Sequence, residues 1–441
     1  MTEAAGQVGN QIAASRPAAP AGSWIAALWR HAIWLIAALV FACLPLLFRS
    51  GTALTMMSLM GIMIIFALSY NMLLGQTGLL SFGHAVYYGL GAFIVVHAMN
   101  AIIRAKLPIP LPVMPLLGGI AGLAFAIIFG SVSTRRGGTA FAMISLGLAE
   151  LVASCSLILR GFFGGEEGIT TNRTRLLRVF DWNFGPQIQV YYLIAAWCLI
   201  CMIAMYALTR TPFGRMCNAV RENPERIEFI GCSRTFVRFL AFCLAGFFAG
   251  VAGALAAINF EIVNASYVGL QQSGIVLLAA YIGGTGHFIG PALGAILVTY
   301  LQIMLSDVTE IWQLYFGLMF IAVVMFAPGG LAGLLMMHAP LLRARVLRLL
   351  AVPYVLLGAA ASIVGVGAIV IVELTHRLVV KTTEGTVMHL FGISINAAAA
   401  GPWLIAAVLT AGGALLMRAA WPMAAHAFSD ATAAVQTGER S

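Results

Sequence analysis

Charge is what this 441-residue chain has least of. Only 9% of its residues are charged, where a soluble globular domain carries roughly 25%. Hydrophobic residues make up 61%, and mean hydropathy is +0.97. That excludes an ordinary water-soluble fold and implies a membrane protein. Lysine is almost missing. Lys106 and Lys381 are the only two, so the net charge of +9 rests on arginine. In so apolar a chain this excess reads as membrane topology, and no nucleic-acid partner is expected. The chain lacks a Gly-x-x-x-x-Gly-Lys-Ser/Thr loop or any other nucleotide cradle. If it works with ATP, hydrolysis must occur on another chain. No metal cluster or nucleophile–base arrangement stands out, so no catalytic residue, metal or cofactor is expected. The seven cysteines are scattered. Cys198 and Cys201 form a CxxC inside an apolar run without a nearby histidine, the pattern of small buried residues. The start of the chain lacks the pattern of a cleaved signal peptide. Its Ala-, Gly- and Ser-rich composition predicts a disordered cytoplasmic tail over residues 1–29.

What the chain does have is long apolar runs. About twelve approach the ~20 residues a bilayer needs: 31–48, 53–74, 82–100, 113–133, 139–159, 190–209, 237–260, 271–284, 289–306, 313–335, 350–372 and 402–419. The run 271–284 is short and fits a half-helix or re-entrant segment buried in protein. The expected fold is all-α, a polytopic helical bundle of about ten helices followed by two more. Alternating the runs from an inside N-terminus places fifteen of the twenty-four Lys and Arg on the inner side, which predicts two cytoplasmic termini.

The densest charge lies between two apolar runs, from Thr209 to Phe239. Six arginines and three glutamates fall there. Asn223 followed by Pro224 reads as an N-cap and a first helical residue. Glu225 sits in the first turn, where the helix dipole favours an anion. The helix is expected to reach about Ile230, with Gly231 stopping it at positive φ. Arg221 with Glu225 and Glu222 with Arg226 have i,i+4 spacing, useful only if one helix ran through Pro224. A short docking helix and a solvated connecting loop are both consistent with this pattern.

Two glycine-rich joins interrupt the apolar runs. The first runs from Asn71 through Gly75, Gln76, Gly78, Ser81, Gly83 and His84 to Gly91. Glycines and hydrogen-bonding side chains at membrane depth mark either the lining of a pathway or a tight polar turn at the surface. The second runs from Tyr281 to Gly294, and both contain Gly-x-Thr-Gly. Glu150 is the one acid well inside an apolar run, a pathway candidate or a paired structural group.

Four blocks, in order, resemble the membrane permease subunits of branched-chain (hydrophobic) amino acid ABC importers. They are NMLLGQTGLLSFGHAVYYGLGAF, the FGRMCNAVRENPERIEFIGCSRTFVRF loop with its small-residue helix, GGTGHFIGPALGA, and LYFGLMFIAVVMFAPGGLAGL. The chain looks more like the larger of the family's two permease types. The resemblance implies a permease domain over residues 30–336 in a bacterial inner membrane. Its implied partners are a second related permease, two cytoplasmic ATPase subunits and a periplasmic binding protein, with membrane lipid around it. Gly214, Arg215, Arg221, Glu222, Asn223, Pro224 and Gly231 match the family's ATPase-coupling pattern, with Glu225 beside them. Asn71, Gly75, Gln76, Ser81, Gly83 and His84 match its glycine-rich signature near the translocation path. Residues 337–441, with two further apolar runs, depart from the usual member. So do Arg226 and Phe229, variants closer to relatives carrying urea, amides or aromatic acids. A stand-alone secondary transporter or channel, and a membrane-embedded enzyme, are the competing readings. The first needs more intramembrane ionisable groups than Glu150, and the second needs convergent catalytic groups.

Overall fold

Long apolar stretches rich in Leu, Ile, Ala and Phe can satisfy their backbone in a bilayer only as helices, and helices dominate the architecture. The computed structural model describes residues 23–178, 182–229, 231–343, 348–379, 385–390 and 393–437. They form two compact units, the first ending at Gly333 and the second starting at Leu334.

The first unit begins with α1 (Ser23–Leu47), α2 (Gly51–Thr77), α3 (Ala85–Ala105), α4 (Met114–Ser133) and α5 (Thr139–Ile158). A two-residue strand β1 (Ile169–Thr170) follows, then α6 (Gln187–Arg210), α7 (Pro212–Glu222), α8 (Pro224–Phe229) and α9 (Arg234–Phe260). Strand β2 (Ile262–Val263) pairs antiparallel with β1, with Ile169 opposite Val263. Last come α10 (Leu270–Gly283), α11 (Gly290–Val308), α12 (Trp312–Phe326) and the start of α13 (Gly330–Arg343).

Helix α9 is the axis of this unit. Its buried face is mostly Ala and Gly, which lets neighbouring backbones approach closely. A Cβ on Gly253 would lie 1.8 Å from the Tyr88 carbonyl oxygen of α3, and one on Gly250 would lie 2.2 Å from the Gly118 oxygen of α4. Only glycine permits these crossings. Beyond α9, Arg173 is buried in the loop before α6. Its Nε donates to Phe184 O (2.8 Å), Nη1 to Ile258 O (3.1 Å) and Asn259 O (3.0 Å), and Nη2 to Gly185 O (3.2 Å). The backbone N–H of Arg173 donates to Glu261 Oε1 at 2.7 Å. One side chain therefore satisfies the carbonyls at the end of α9 and fastens the loop to them.

The second unit holds the rest of α13, then α14 (Arg348–Val379), a hairpin of β3 (Val387–Leu390) and β4 (Ile393–Asn396), and α15 (Ala400–Thr437). Helices α14 and α15 pack through Gly367, where a Cβ would lie 2.4 Å from Thr410 Oγ1. Arg377 donates to Gly385 O (2.9 Å) and Val387 O (3.0 Å), holding the hairpin to the end of α14.

The fold class agrees with the sequence reading, with several differences in detail. Nine helices among the described residues are long and apolar enough to span a membrane, or ten if α12 and the start of α13 form one span. Helix α1 covers the expected first run 31–48 up to Leu47, and α10 is short as anticipated. The run 313–335 is two helices. The first stops at Phe326, and Ala327–Gly329 with Gly330 at φ +62° separate it from the second. Residues 1–22 of the expected tail lie outside the described residues, and helix α1 begins at Ser23. The link between α14 and α15 contains the β3–β4 hairpin.

Candidate functional site

The basic loop folds as two short helices, one more than its sequence suggests. Thr211 caps the first, its Oγ1 accepting from Gly214 N at 3.4 Å, with Pro212 in the first turn. Asn223 caps the second, its Oδ1 accepting from Glu225 N at 3.0 Å. The chain is extended at Asn223, with φ −152° and ψ 100°. Arg221 and Glu222 therefore do not share a helix with Glu225 and Arg226, and the i,i+4 pairs do not form on one helix. Glu228 instead pairs with Arg234 Nε at 3.0 Å. Gly231 takes φ +79°, and Cys232 N bonds back to Ile227 O at 3.2 Å. Ile230, the expected last helical residue, and the Arg226 side chain lie outside the described residues.

Gly214, Cys217 and Val220 face inward from α7, and Cys217 and Val220 cluster with Ile227, Val237 and Ala241. Burial pushes the Cys217 thiol up to about 12. The opposite face, with Arg215, Asn218, Arg221, Glu222, Glu225 and Glu228, is exposed. Phe229 at its end is 89% exposed. That is an unusual setting for a phenyl ring beside so many charges.

Arg221 reaches from α7 to α2. Its Nη1 donates to the carbonyl of Gly75 in the last turn of α2, where a cation also opposes the negative end of the helix dipole. Gly78 ends α2 in the left-handed region (φ +69°), and a Cβ there would lie 3.4 Å from Arg221 Cγ. Above this contact is a cavity of about 610 Å³. It is lined by Asn71, Gly75 and Gln76 of α2, by Thr209, Arg210, Asn218, Arg221 and Glu222, and by Thr285, Gly286, His287 and Phe288. The two Gly-x-Thr-Gly segments thus meet: a Cβ on Gly75 would lie 2.8 Å from Thr285 O. Asn71 is buried, and its Oδ1 has no partner among the described residues.

The other signature residues sit elsewhere. Ser81, Gly83 and His84 lie in the buried turn between α2 and α3. Phe82 N donates to Ser145 Oγ at 3.0 Å, Ala85 N donates to Ser273 Oγ at 3.0 Å, and a Cβ on Gly83 would lie 2.4 Å from Ser145 O. His84 Nε2 meets Ser69 Oγ at 2.9 Å, and its ring stacks on Phe66 at 5.4 Å. Glu150 lines neither this turn nor the cavity; it is exposed on the outward face of α5, beside Leu151 and Gly147. Sequence reasoning missed Thr211, Asn218, Thr285 and His287 as members of the site. The Thr211-Pro212 pair carried the same cap signal as Asn223-Pro224.

A second cavity of about 310 Å³ opens further up α2. Leu59, Ile62 and Met63 line it with residues of α3, α9, α10, α11 and α12. Met63 and Gly75 lie on one unbroken helix. At 1.5 Å per residue they are about 18 Å apart along its axis.

The family model for "Branched-chain amino acid transport system / permease component" matches residues 52–328. The high-affinity branched-chain amino acid transport system permease protein LivM of Escherichia coli is 26% identical over 324 residues, covering 68% of this chain and 75% of that protein. BraD of Pseudomonas aeruginosa, a permease protein of the same kind of system, is 24% identical over 284 residues, covering 60% and 90%. A probable LivM of Methanocaldococcus jannaschii is 21% identical over 314 residues, covering 62% and 90%. No solved structure matches. With the family model covering more than half of the chain, this multi-pass membrane protein belongs to the branched-chain amino acid transport system permease family.

Proposed function

We propose that the chain is the permease subunit of an ATP-driven importer for branched-chain amino acids or related small solutes, and that α7 and α8 are the elements on which a cytoplasmic ATPase acts. The observation that carries this is the Arg221–Gly75 contact. It fastens a charged, exposed helix pair to the end of a membrane helix whose other half lines a cavity. Arg215, Glu222, Asn223, Pro224, Glu225 and Gly231 shape or border that surface. The uncovered Phe229 ring gives it an anchor for a groove on a partner. Displacing α7 pulls on α2, and the pull reaches the cavity around Met63 without a flexible joint between.

Two further features support the remaining partners and the orientation. The Arg135–Arg136 turn lies at the same end as the coupling helices: a Cβ on Gly137 would sit 2.6 Å from Arg238 Nη1. The end with the denser arginines, from Arg210 to Arg238 with Arg135 and Arg136, belongs on the cytoplasmic side of a bacterial inner membrane. Glu150 faces outward at mid-span on α5. A carboxylate facing lipid there costs about 2.5–3.5 kcal/mol, so a second permease packing on this face relieves it. A periplasmic binding protein supplies the solute at the opposite end, where Arg173 steadies the loop.

Affinity purification from the native membrane in mild detergent tests the assignment. Recovery of a related permease together with two ATPase subunits is the expected outcome. Recovery of this chain by itself, still moving solute in liposomes without ATP, refutes it.

A further inference from the structure

The cavity of about 610 Å³ gathers more positive charge than it cancels. Arg210 and Arg221 line it against one carboxylate, Glu222. All three residues are exposed. Neither arginine is in an ion pair among the described residues, where Glu228 pairs with Arg234 instead. Arg210 uses Nε and Nη2 on Tyr206 Oη, at 3.2 and 2.7 Å, and Arg221 uses Nη1 on Gly75 O. Nη1 of Arg210, and Nε and Nη2 of Arg221, remain as donors without a partner among the described residues. Two cations against one anion leave an excess of one positive charge, which a ligand with one negative charge cancels.

The cavity also lies at the level of a membrane surface. Helices α2 and α6 reach it at the ends of their apolar spans, Gly51–Thr77 and Gln187–Arg210. A row of aromatic rings runs beside it. Tyr206 meets Trp34 of α1 at 5.3 Å and Phe288 of the α10–α11 turn at 5.3 Å, both edge-on. The Arg210 guanidinium carbon lies 5.2 Å from the centre of the Tyr206 ring. Trp and Tyr gather where hydrocarbon meets headgroups. Next to Trp34, Ile33 and Ile36 of α1 are exposed, an apolar surface suited to an acyl chain. Phe288 lines the cavity itself, so the aromatic row runs on into the charged lining. A soluble anion, or an acidic side chain of another protein, needs the charge but not this apolar approach. A lipid needs both.

We propose that this cavity seats the phosphate of one anionic phospholipid, from the leaflet at that end of the molecule, between Arg210 and Arg221, with its chains along the Trp34–Tyr206 face. Basic pockets between membrane helices take anionic headgroups, and a guanidinium can present two N–H groups to two phosphate oxygens. Glu222 helps to select the headgroup. A zwitterionic head leaves the excess charge uncancelled. Phosphatidylglycerol cancels it and brings hydroxyls that can donate to the Glu222 carboxylate. The seated lipid braces the end of α6 to α7, beside the bond from Arg221 to α2.

The test uses the full chain in mild detergent, offered phosphatidylglycerol and phosphatidylethanolamine in equal amounts. Lipid retained per protein is counted by native mass spectrometry, and melting temperature is followed with and without each lipid. Wild type is expected to keep one phosphatidylglycerol in preference to phosphatidylethanolamine and to melt higher with it. Arg210→Gln should lower that retention about fivefold, the share of one basic residue at an anionic lipid surface. Arg210→Lys, which keeps the charge, should hold most of it. Gln76→Glu, which adds an acid to the lining without changing its size, should lower retention at least as much as Arg210→Gln. Arg136→Gln removes a charge from the same end of the molecule but outside the cavity, and should change nothing. An equal loss in Arg136→Gln and Arg210→Gln means general surface attraction and overturns the site, as does full retention in Gln76→Glu. Phosphatidylethanolamine held as well as phosphatidylglycerol overturns the charge argument. Added inorganic phosphate should leave the lipid in place; if it displaces the lipid, the site is one for a soluble anion and the lipid assignment falls.

Discussion

Replacing Arg221 by alanine removes a side chain that bridges α7 to the end of α2 by a hydrogen bond. A hydrogen bond from a charged group is worth about 1.5–3 kcal/mol when sheltered from water. Arg221 is largely exposed, so about 1 kcal/mol is the fair share for the bond here. Opposing the α2 dipole adds about 0.3–1 kcal/mol. Together these amount to about 1.3–2 kcal/mol, roughly 10- to 30-fold in coupling between the two helices. The α7 core of Gly214, Cys217 and Val220 is untouched, so insertion and subunit assembly should persist. The assay is solute taken up per ATP hydrolysed in proteoliposomes containing the whole importer. Arg221→Ala should lower that ratio by about an order of magnitude while ATP hydrolysis continues. Arg221→Lys should recover part of it, because a single carbonyl needs only one donor. If the alanine variant stays within about twofold of wild type, the contact does not transmit motion and the coupling argument is wrong.

Other consequences are as direct. Gly253→Ala places a methyl against the Tyr88 carbonyl. It should cost at least about 3 kcal/mol, read as a drop in melting temperature in detergent, whereas Gly317→Ala, with nothing within 4 Å, should be neutral or slightly stabilising. Arg173→Met strips donors from carbonyls at the end of α9 and in the adjoining loop. It should cost about 2–4 kcal/mol and expose the segment before α6 to limited proteolysis before the bundle melts. Burial pushes the Cys217 thiol up to about 12, so it should stay protonated and resist maleimide through pH 9–10 in the folded chain, and react once α7 is unfolded; labelling at pH 8 in native protein would contradict its packing.

The helices were legible because the apolar runs are long and the bilayer leaves the backbone little choice. The start of α8 was legible too, since Asn223-Pro224 carries its own cap. The start of α7 depended on the same chemistry at Thr211-Pro212, hidden within a stretch that reads as mere charge. What could not be read is what depends on distant partners. Arg173 gives no sign of its role, because the carbonyls it bonds are up to 86 residues away. The β3–β4 hairpin is only four residues a side, too short for alternation to show against apolar neighbours. Sequence could nominate Asn71, Gly75 and His84 together, yet the turn at Gly78 sends the first two to a cavity and the third into packing. Glu150 announced itself as an intramembrane acid, but which way α5 turns it depends on packing against α3, α4 and α10.

Helix α2 joins two places that chemistry would otherwise keep separate, Gly75 under Arg221 and Met63 beside the outer cavity. Thermodynamic linkage then works in both directions. If docking at α7 alters the cavity's hold on a solute by some factor, a seated solute alters the affinity of the docked partner by the same factor. The permease in that arrangement reports its own occupancy inward, so that a partner consuming ATP can be engaged by the presence of cargo as well as act upon it.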